Sequence, residues 1–387
     1  MPLKGEDRFG LAPLIKFYCL LLIIVYFKMG LFNYISFDQF GKPTTSACDF
    51  LQYYTASIFA RYGEAAHAYN GATLRSAGEV ITGQKISRLA WNYPPTFLLI
   101  VYPLSFLSYP ASLYLWLLVT LSGYLFVLYR IAPDRLTLWL AIVFPATFMN
   151  INHGQNGFLF ASLLGGGLLL LNQHPIAAGI LLGLFTCKPQ FAILVPVALI
   201  AGRRWKALGS MAATMIAMIV ISAVVFGREI WVAFFENAPF VRKLLETGSA
   251  PWFKMPTLFV AARMVGFHVN VSYLLQAVVA MGMAIVVYYV WSQKRKEEVS
   301  NAILVLSILL TTPYAFVHDL TMFAIPIAYL SWQGYTKGWL PYEKIILTLV
   351  WHMPLFSIFI AFFTPLQIGP FILLAHMIFT LWRMFRT

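Results

Sequence analysis

The stretch GSMAATMIAMIVISAVVF, residues 209–226, lies in a charge-free interval between Lys206 and Arg228, and it limits what this chain can fold into more than any other feature. A helix needs about 20 apolar residues to cross the hydrocarbon core of a bilayer. IKFYCLLLIIVYF, WLLVTLSGYLFVLY and QAVVAMGMAIVVYYVW are runs of the same kind. No water reaches a peptide group in lipid, so each span must bond its own backbone, and an all-α, polytopic transmembrane bundle follows. Composition agrees, with 60% hydrophobic and 11% charged residues, where a soluble domain carries about 25% charged.

The formal net charge of +13 is concentrated at the ends of apolar runs, in Arg203-Arg204-Trp205-Lys206, in Lys294-Arg295-Lys296, and in Arg383 with Arg386. Positive-inside placement accounts for these clusters without a nucleic-acid partner. Lys4, Arg8 and Lys16 precede or enter the first apolar run, and no small-residue cleavage site follows it, which predicts a retained helix from Leu11 to Ile35. Further spans are predicted near 93–108, 111–129, 136–150, 157–171, 175–201, 207–226, 257–291, 299–317, 319–332, 341–362 and 366–382, about twelve in all and one integral domain over 1–387. Within 175–201, PIAAGILLGLFT and FAILVPVALIA are separated by Cys187-Lys188-Pro189-Gln190. One broken crossing and two short helices are both consistent with that pattern. The one-crossing count puts Arg130 and Arg135 outside and NINHGQNG inside. It leaves three outward loops, 37–91, 227–256 and 311–319, whose residues can meet on one face. In the first loop Phe50, Tyr53, Tyr54, Ser57, Ile58 and Arg61 recur at helical spacing, predicting an amphipathic helix along the membrane surface with its aromatics in the interface. Residues 335–387 add C-terminal helices and no motif.

Only fourteen residues are acidic, so a working carboxylate is chosen from a short set. Glu6, Asp7, Asp134, Glu297, Glu298 and Glu343 flank helices, leaving Asp38, Asp49, Glu64, Glu79, Glu229, Glu236, Glu246 and Asp319 in the outward loops. Asp49 opens the amphipathic helix. It is either a helix N-cap or a carboxylate held and oriented by the helix N-terminus to accept a proton from a hydroxyl, and the two roles are compatible. Tyr314, His318 and Asp319 form a polar cluster in TTPYAFVHDLTMF, between two apolar runs, where ionisable groups usually face a cavity. Lys188, Arg242, Lys243 and Lys254 are candidate phosphate donors, against the plainer reading of snorkelling surface charges. Tyr53, Tyr54 and Trp252 are candidates for the substrate groove, as are Gln155 and Asn156 beside His153 in NHGQNG. Interface anchoring and turn formation are the alternatives for these. Cys19, Cys48 and Cys187 show no CxxC and no His at ligand spacing, so neither a disulfide framework nor a zinc site is indicated. There is no Walker-type loop, no GxGxxG after a strand and no HExxH.

The blocks DFLQYYTASIFARYGEAAHAYN, NYPPTFLLIVYPLSFLSYPAS, NHGQNGFLFASLLGGGLLLL, AAGILLGLFTCKPQFAILVPVALIAGRRWKAL and TTPYAFVHDLTMF, in this order, resemble the polytopic GT-C glycosyltransferases. The chain is most similar to glycosyltransferase family 87, which includes the mycobacterial phosphatidylinositol mannoside mannosyltransferases. The resemblance covers most of residues 45–330. It implies an inverting transfer of a sugar, mannose first among the candidates, from a polyprenyl-phosphate carrier to a lipid or glycan acceptor at the extracytoplasmic face of a bacterial inner membrane. It implies Asp49 as the general base and His318 near the donor phosphate, with Lys188 in a KPQ-like block as a structural or phosphate-contacting residue. No cofactor is called for, and a divalent metal is left open. A secondary transporter or lipid flippase is the competing class, but transporters place coupling residues at the midplane and often show repeated halves. A catalytically inert membrane scaffold is the third.

Overall fold

The computed structural model describes residues 11–28, 49–293 and 296–386. Lys4, Glu6, Asp7, Arg8, the end of the first helix towards Ile35, Asp38, Cys48, Lys294 and Arg295 lie outside the described residues. Among the described residues the protein is all-helical, without a strand. Helix α1 is Leu11–Lys28, and the first loop contributes α2 (Phe50–Arg61) and α3 (Gly71–Thr82) before α4 (Pro95–Val101). Then come α5 (Tyr109–Ile131), α6 (Arg135–Ile142), α7 (Pro145–His153), α8 (Gly157–Leu170), α9 (Pro175–Phe185), α10 (Pro189–Ala192), α11 (Leu194–Ala201) and α12 (Trp205–Phe226). The second half holds α13 (Glu229–Glu246), α14 (Leu258–Met264), α15 (Val269–Ser292), α16 (Glu297–Thr311), α17 (Ala324–Lys337), α18 (Glu343–Phe363) and α19 (Gly369–Arg386).

Helix α16 is the axis of the bundle, buried without a break from Val299 to Thr311 and packed against α15, α17 and α19. Helix α12 is the opposite case. Ile216, Val220, Val224 and Val225 are exposed along it, as expected of a helix whose outer face meets lipid tails. Among the described residues, α5, α12, α15 and α18 are long and apolar enough to cross a membrane alone, and the α6–α7 pair, bent by 54°, brings the number to 5. That is fewer than the dozen spans expected, because several apolar runs fold into helices too short to cross alone.

Two of those runs change the topology. Tyr53 and Tyr54 are neighbours on α2, yet the Tyr53 hydroxyl lies 3.0 Å from that of Tyr93 and the Tyr54 hydroxyl donates to the Leu107 carbonyl at 2.9 Å. The segment 93–108 therefore leaves α2 and returns to it, and is not the crossing that its hydropathy predicts. The segment 175–201 is a hairpin of short helices. At one end Ser210 donates to the Ile176 carbonyl at 2.8 Å and Arg204 approaches Glu297 at 3.8 Å, so both legs begin and finish together, with Lys188 at the turn. Helix α9 is held against α12 by small residues. A Cβ on Gly179 would stand 2.4 Å from the Ala207 carbonyl oxygen, and one on Gly183 would stand 2.5 Å from the Thr214 Cβ. Such close approach of helix backbones needs residues without side chains.

Both revisions correct the loop assignments. The indole of Trp116, near the start of α5, donates to the Gln155 carbonyl at 3.3 Å. Hence NHGQNG shares an end of the bundle with the first loop, while Arg130 and Arg135 lie at the far end of α5. The one-crossing count had these reversed, since it treated 93–108 as a span.

Helix α2 also departs from expectation. Phe50, Tyr53, Ala56 and Ser57 are fully buried and Tyr54 nearly so, packed on α3, α4 and α5. Its aromatic face is covered by protein instead of lying in the interface. At about 25 cal/mol per Å2, covering side chains that each bury 150–250 Å2 is a strong reason for α2 to dock.

Candidate active site

The three loops meet around a cavity of about 1180 Å3, above the roughly 300–1,000 Å3 of an ordinary small-molecule pocket. Asp49 and the 69–94 region line it from the first loop, Phe234 to Lys254 from the second, and Tyr314 to Asp319 from the third. His153, Gln155 and Lys188 close its floor.

The floor is built around Asn150. Its side-chain amide donates to the Gln155 carbonyl at 3.1 Å and its Oδ1 accepts from the Gly157 amide at 2.7 Å. Gly154, at φ +60°, ends α7 in the left-handed conformation that glycine adopts without strain. Gly157 is needed for a different reason: a Cβ there would stand 2.1 Å from the His318 carbonyl oxygen. The third loop is thus pressed against the first residue of α8.

Asp49 sits at the head of α2 with no side-chain cap hydrogen bond. Its Oδ2 instead accepts from Gln155 Nε2 at 3.0 Å, so the capping role considered for it is absent and the carboxylate faces the cavity. The Gln155 Oε1 accepts from the Tyr53 hydroxyl and from the Asn156 amide. Those donors fix the amide's orientation, leaving its NH2 for Asp49.

On the third loop, Asp319 Oδ1 lies 2.5 Å from Lys188 Nζ, both side chains 4% exposed, while its Oδ2 accepts from the Phe316 amide at 2.9 Å. The ammonium stands 4.8 Å from the Phe160 ring centroid. Burial alone raises a carboxyl's proton affinity, but Lys188 and then His318 outweigh it and hold Asp319 below the usual carboxylate range. His318 stacks on Phe316 at 5.5 Å with 9° between the planes. Burial lowers it to about 4, against the opposing pull of Asp319, so the imidazole is neutral at physiological pH. Burial pushes Tyr314 up to about 12. Lys254 Nζ lies 3.1 Å from His153 Nε2, and His153 Nδ1 lies 2.8 Å from the Met149 carbonyl oxygen. An ammonium only donates, so Nε2 accepts and the proton is on Nδ1.

The remaining candidates divide. Arg242 lines the cavity and pairs with Glu246 at 2.7 Å. Tyr53 lies beneath the surface as a support. Tyr54, Asn156 and Trp252 are not among the lining residues: Tyr54 faces Leu107, Asn156 is fully buried, and the Trp252 indole donates to the Leu245 carbonyl at 2.8 Å. Sequence reasoning passed over Arg75 and Arg88, which line the mouth; their signal was only the basic residues of the first loop. Cations outnumber carboxylates in the lining, with Arg75, Arg88, Lys188, Arg242 and Lys254 against Asp49 and Asp319. Among the described residues no group of three or more His, Cys, Asp or Glu side chains could hold a metal ion.

An all-helical membrane protein with a basic, carboxylate-bearing cavity where its loops meet has the parts of a transferase for anionic substrates. The model of glycosyltransferase family 87 matches residues 91–313, more than half of the chain, and the chain belongs to that family. It is a membrane glycosyltransferase, acting on a sugar donor and an acceptor. No curated protein and no solved structure is found to match it. Gln155, Lys188, Arg242 and Lys254 fall within the family match, whereas Asp49, His318 and Asp319 fall outside it.

Proposed function

We propose that this glycosyltransferase takes its sugar, mannose first among the candidates, from a polyprenyl-phosphate carrier and passes it with inversion to a lipid or glycan acceptor. The reaction takes place at the extracytoplasmic face of a bacterial inner membrane, within one integral domain spanning 1–387. Asp49 is the general base. The observation that carries this reading is an Asp49 carboxylate with no side-chain cap bond, facing a cavity in whose lining cations outnumber carboxylates and whose other carboxylate, Asp319, is paired with Lys188.

In the reaction the acceptor oxygen attacks the anomeric carbon, Asp49 takes the hydroxyl proton, and the bond from that carbon to the phosphate oxygen breaks. The departing polyprenyl phosphate gains a negative charge. Lys254, steadied by His153, and Arg242 supply charge-assisted donors for it. The neutral His318 donates a hydrogen bond without adding charge. A phosphate on a lipid arrives from the side, so a groove between helices serves where a soluble nucleotide-sugar enzyme would need a phosphate loop, which this sequence lacks.

The test is donor choice. Purified protein in lipid nanodiscs is given polyprenyl-phosphate mannose, glucose or arabinofuranose, or the matching nucleotide sugars, with a membrane-lipid extract as acceptor. Transfer from one polyprenyl donor with an inverted anomeric centre is expected. Transfer from nucleotide sugars alone, or from no donor, would overturn the reading.

A further inference from the structure

The Gln155 amide is 4% exposed and held at every polar atom. Its backbone N–H donates to the Asn150 carbonyl at 3.0 Å, and its own carbonyl accepts from Asn150 at 3.1 Å and from Trp116 at 3.3 Å. Its Oε1 accepts from Tyr53, which is itself locked among Tyr93 at 5.5 Å, Phe97 at 5.4 Å and Trp116 at 5.7 Å. What remains is an NH2 group aimed at Asp49 Oδ2, 3.0 Å away. Asp49 is the residue immediately before α2 and has no side-chain cap bond of its own.

We propose that Gln155, oriented by Tyr53, is the positioning residue for Asp49, fixing the carboxylate by one oxygen so that the other faces the acceptor hydroxyl. This rests on Asp49 being the base. A carboxylate has two equivalent oxygens and rotates about its own side chain, so a single donor from a rigid floor decides which oxygen is spent and where the free one points. Glutamine suits this position better than lysine or arginine, since a cation there would pair with the base and hold back its proton uptake.

The experiment measures kcat, KM and the pH profile of kcat/KM for wild type, Gln155→Glu, Tyr53→Phe and Asp49→Asn in nanodiscs, with polyprenyl-phosphate mannose as the probe donor. Gln155→Glu keeps the shape of the side chain but replaces the donor with a second carboxylate. It is expected to lower kcat about 100-fold, the scale of an ångström of misplacement, with KM for the donor little changed. Its acid limb moves to higher pH, because two carboxylates in one site resist ionising together. Tyr53→Phe leaves the ring in its cluster but removes one of the donors that orient the amide, the Asn156 N–H remaining, and a smaller fall in kcat at constant KM is expected. The shift of the acid limb reports that the side chain at 155 adjoins the base, while a fall in kcat at constant KM in folded Tyr53→Phe is the change that a merely structural role would not produce. If Asp49→Asn is inactive while both other variants keep wild-type kcat and acid limb, the positioning role is overturned and the base assignment stands. If Asp49→Asn turns over like wild type, both fall.

Discussion

Replacing Lys188 with methionine removes the cation from a pair whose charged atoms stand 2.5 Å apart, with both side chains 4% exposed. At an effective dielectric near 20 the attraction is about 7 kcal/mol, and drying two charges takes back several of those. The net worth of the pair is therefore small, but removing one member leaves the other buried and unpaired, at about 3–5 kcal/mol. Lys188→Met alone and Asp319→Asn alone should each destabilise by that amount. The double variant should cost far less than the two together, with a coupling of about 2 kcal/mol or more. Unfolding in mixed micelles, followed by tryptophan fluorescence, gives all corners of the cycle. Because Asp319 also receives the Phe316 amide, the third loop should shift in Lys188→Met and transfer should fall with stability. Additivity within about 0.5 kcal/mol would refute the reasoning.

Gly157→Ala places a methyl 2.1 Å from the His318 backbone oxygen; the third loop must move, and turnover should drop severely in the donor assay. Gly183→Val overpacks the α9–α12 contact, where a Cβ already falls 2.5 Å from that of Thr214, and should lower stability by about 1–3 kcal/mol in a thermal melt. His318 titrates at about 4 when folded against 6.5 in the unfolded chain. The unfolded state binds the proton first as pH falls, so this residue's contribution is intact above about 6.5, is lost progressively towards 4 and is level below. Unfolding free energies of wild type minus His318→Gln should trace that slope, and a difference independent of pH would refute it.

Much of the fold can be read from the sequence where one physical rule acts alone. Long apolar runs such as α12 and α15 have no other solution in lipid than a helix. The segment 93–108 misleads because apolarity does not distinguish a helix that meets lipid from one that meets α2, and only the partners of Tyr53 and Tyr54 decide it. Lys188 was noticeable as a cation inside an apolar pattern, yet its hairpin depends on Gly179 and Gly183 meeting α12. At the site, Asp49 and His318 stood out because ionisable residues are scarce. Gln155 stood in NHGQNG as a groove candidate with turn formation as the alternative, but its bond to Tyr53, distant in sequence, and the orientation of its amide are encoded by no spacing. Tyr53 and Tyr54 carry the same side chain one step apart, and helix geometry sends one beneath the cavity and the other towards Leu107.

The central claim is that Asp49 accepts the acceptor's proton. Single-turnover transfer from polyprenyl-phosphate mannose, measured for wild type and Asp49→Asn in nanodiscs with donor binding determined in parallel, tests it most directly. Donor affinity kept within a few-fold, with transfer lost by the 10²–10⁴-fold that general-base catalysis contributes, is the predicted result. Equal transfer by both proteins would contradict the account and move the search for a base to Glu64, Glu79 or Asp319.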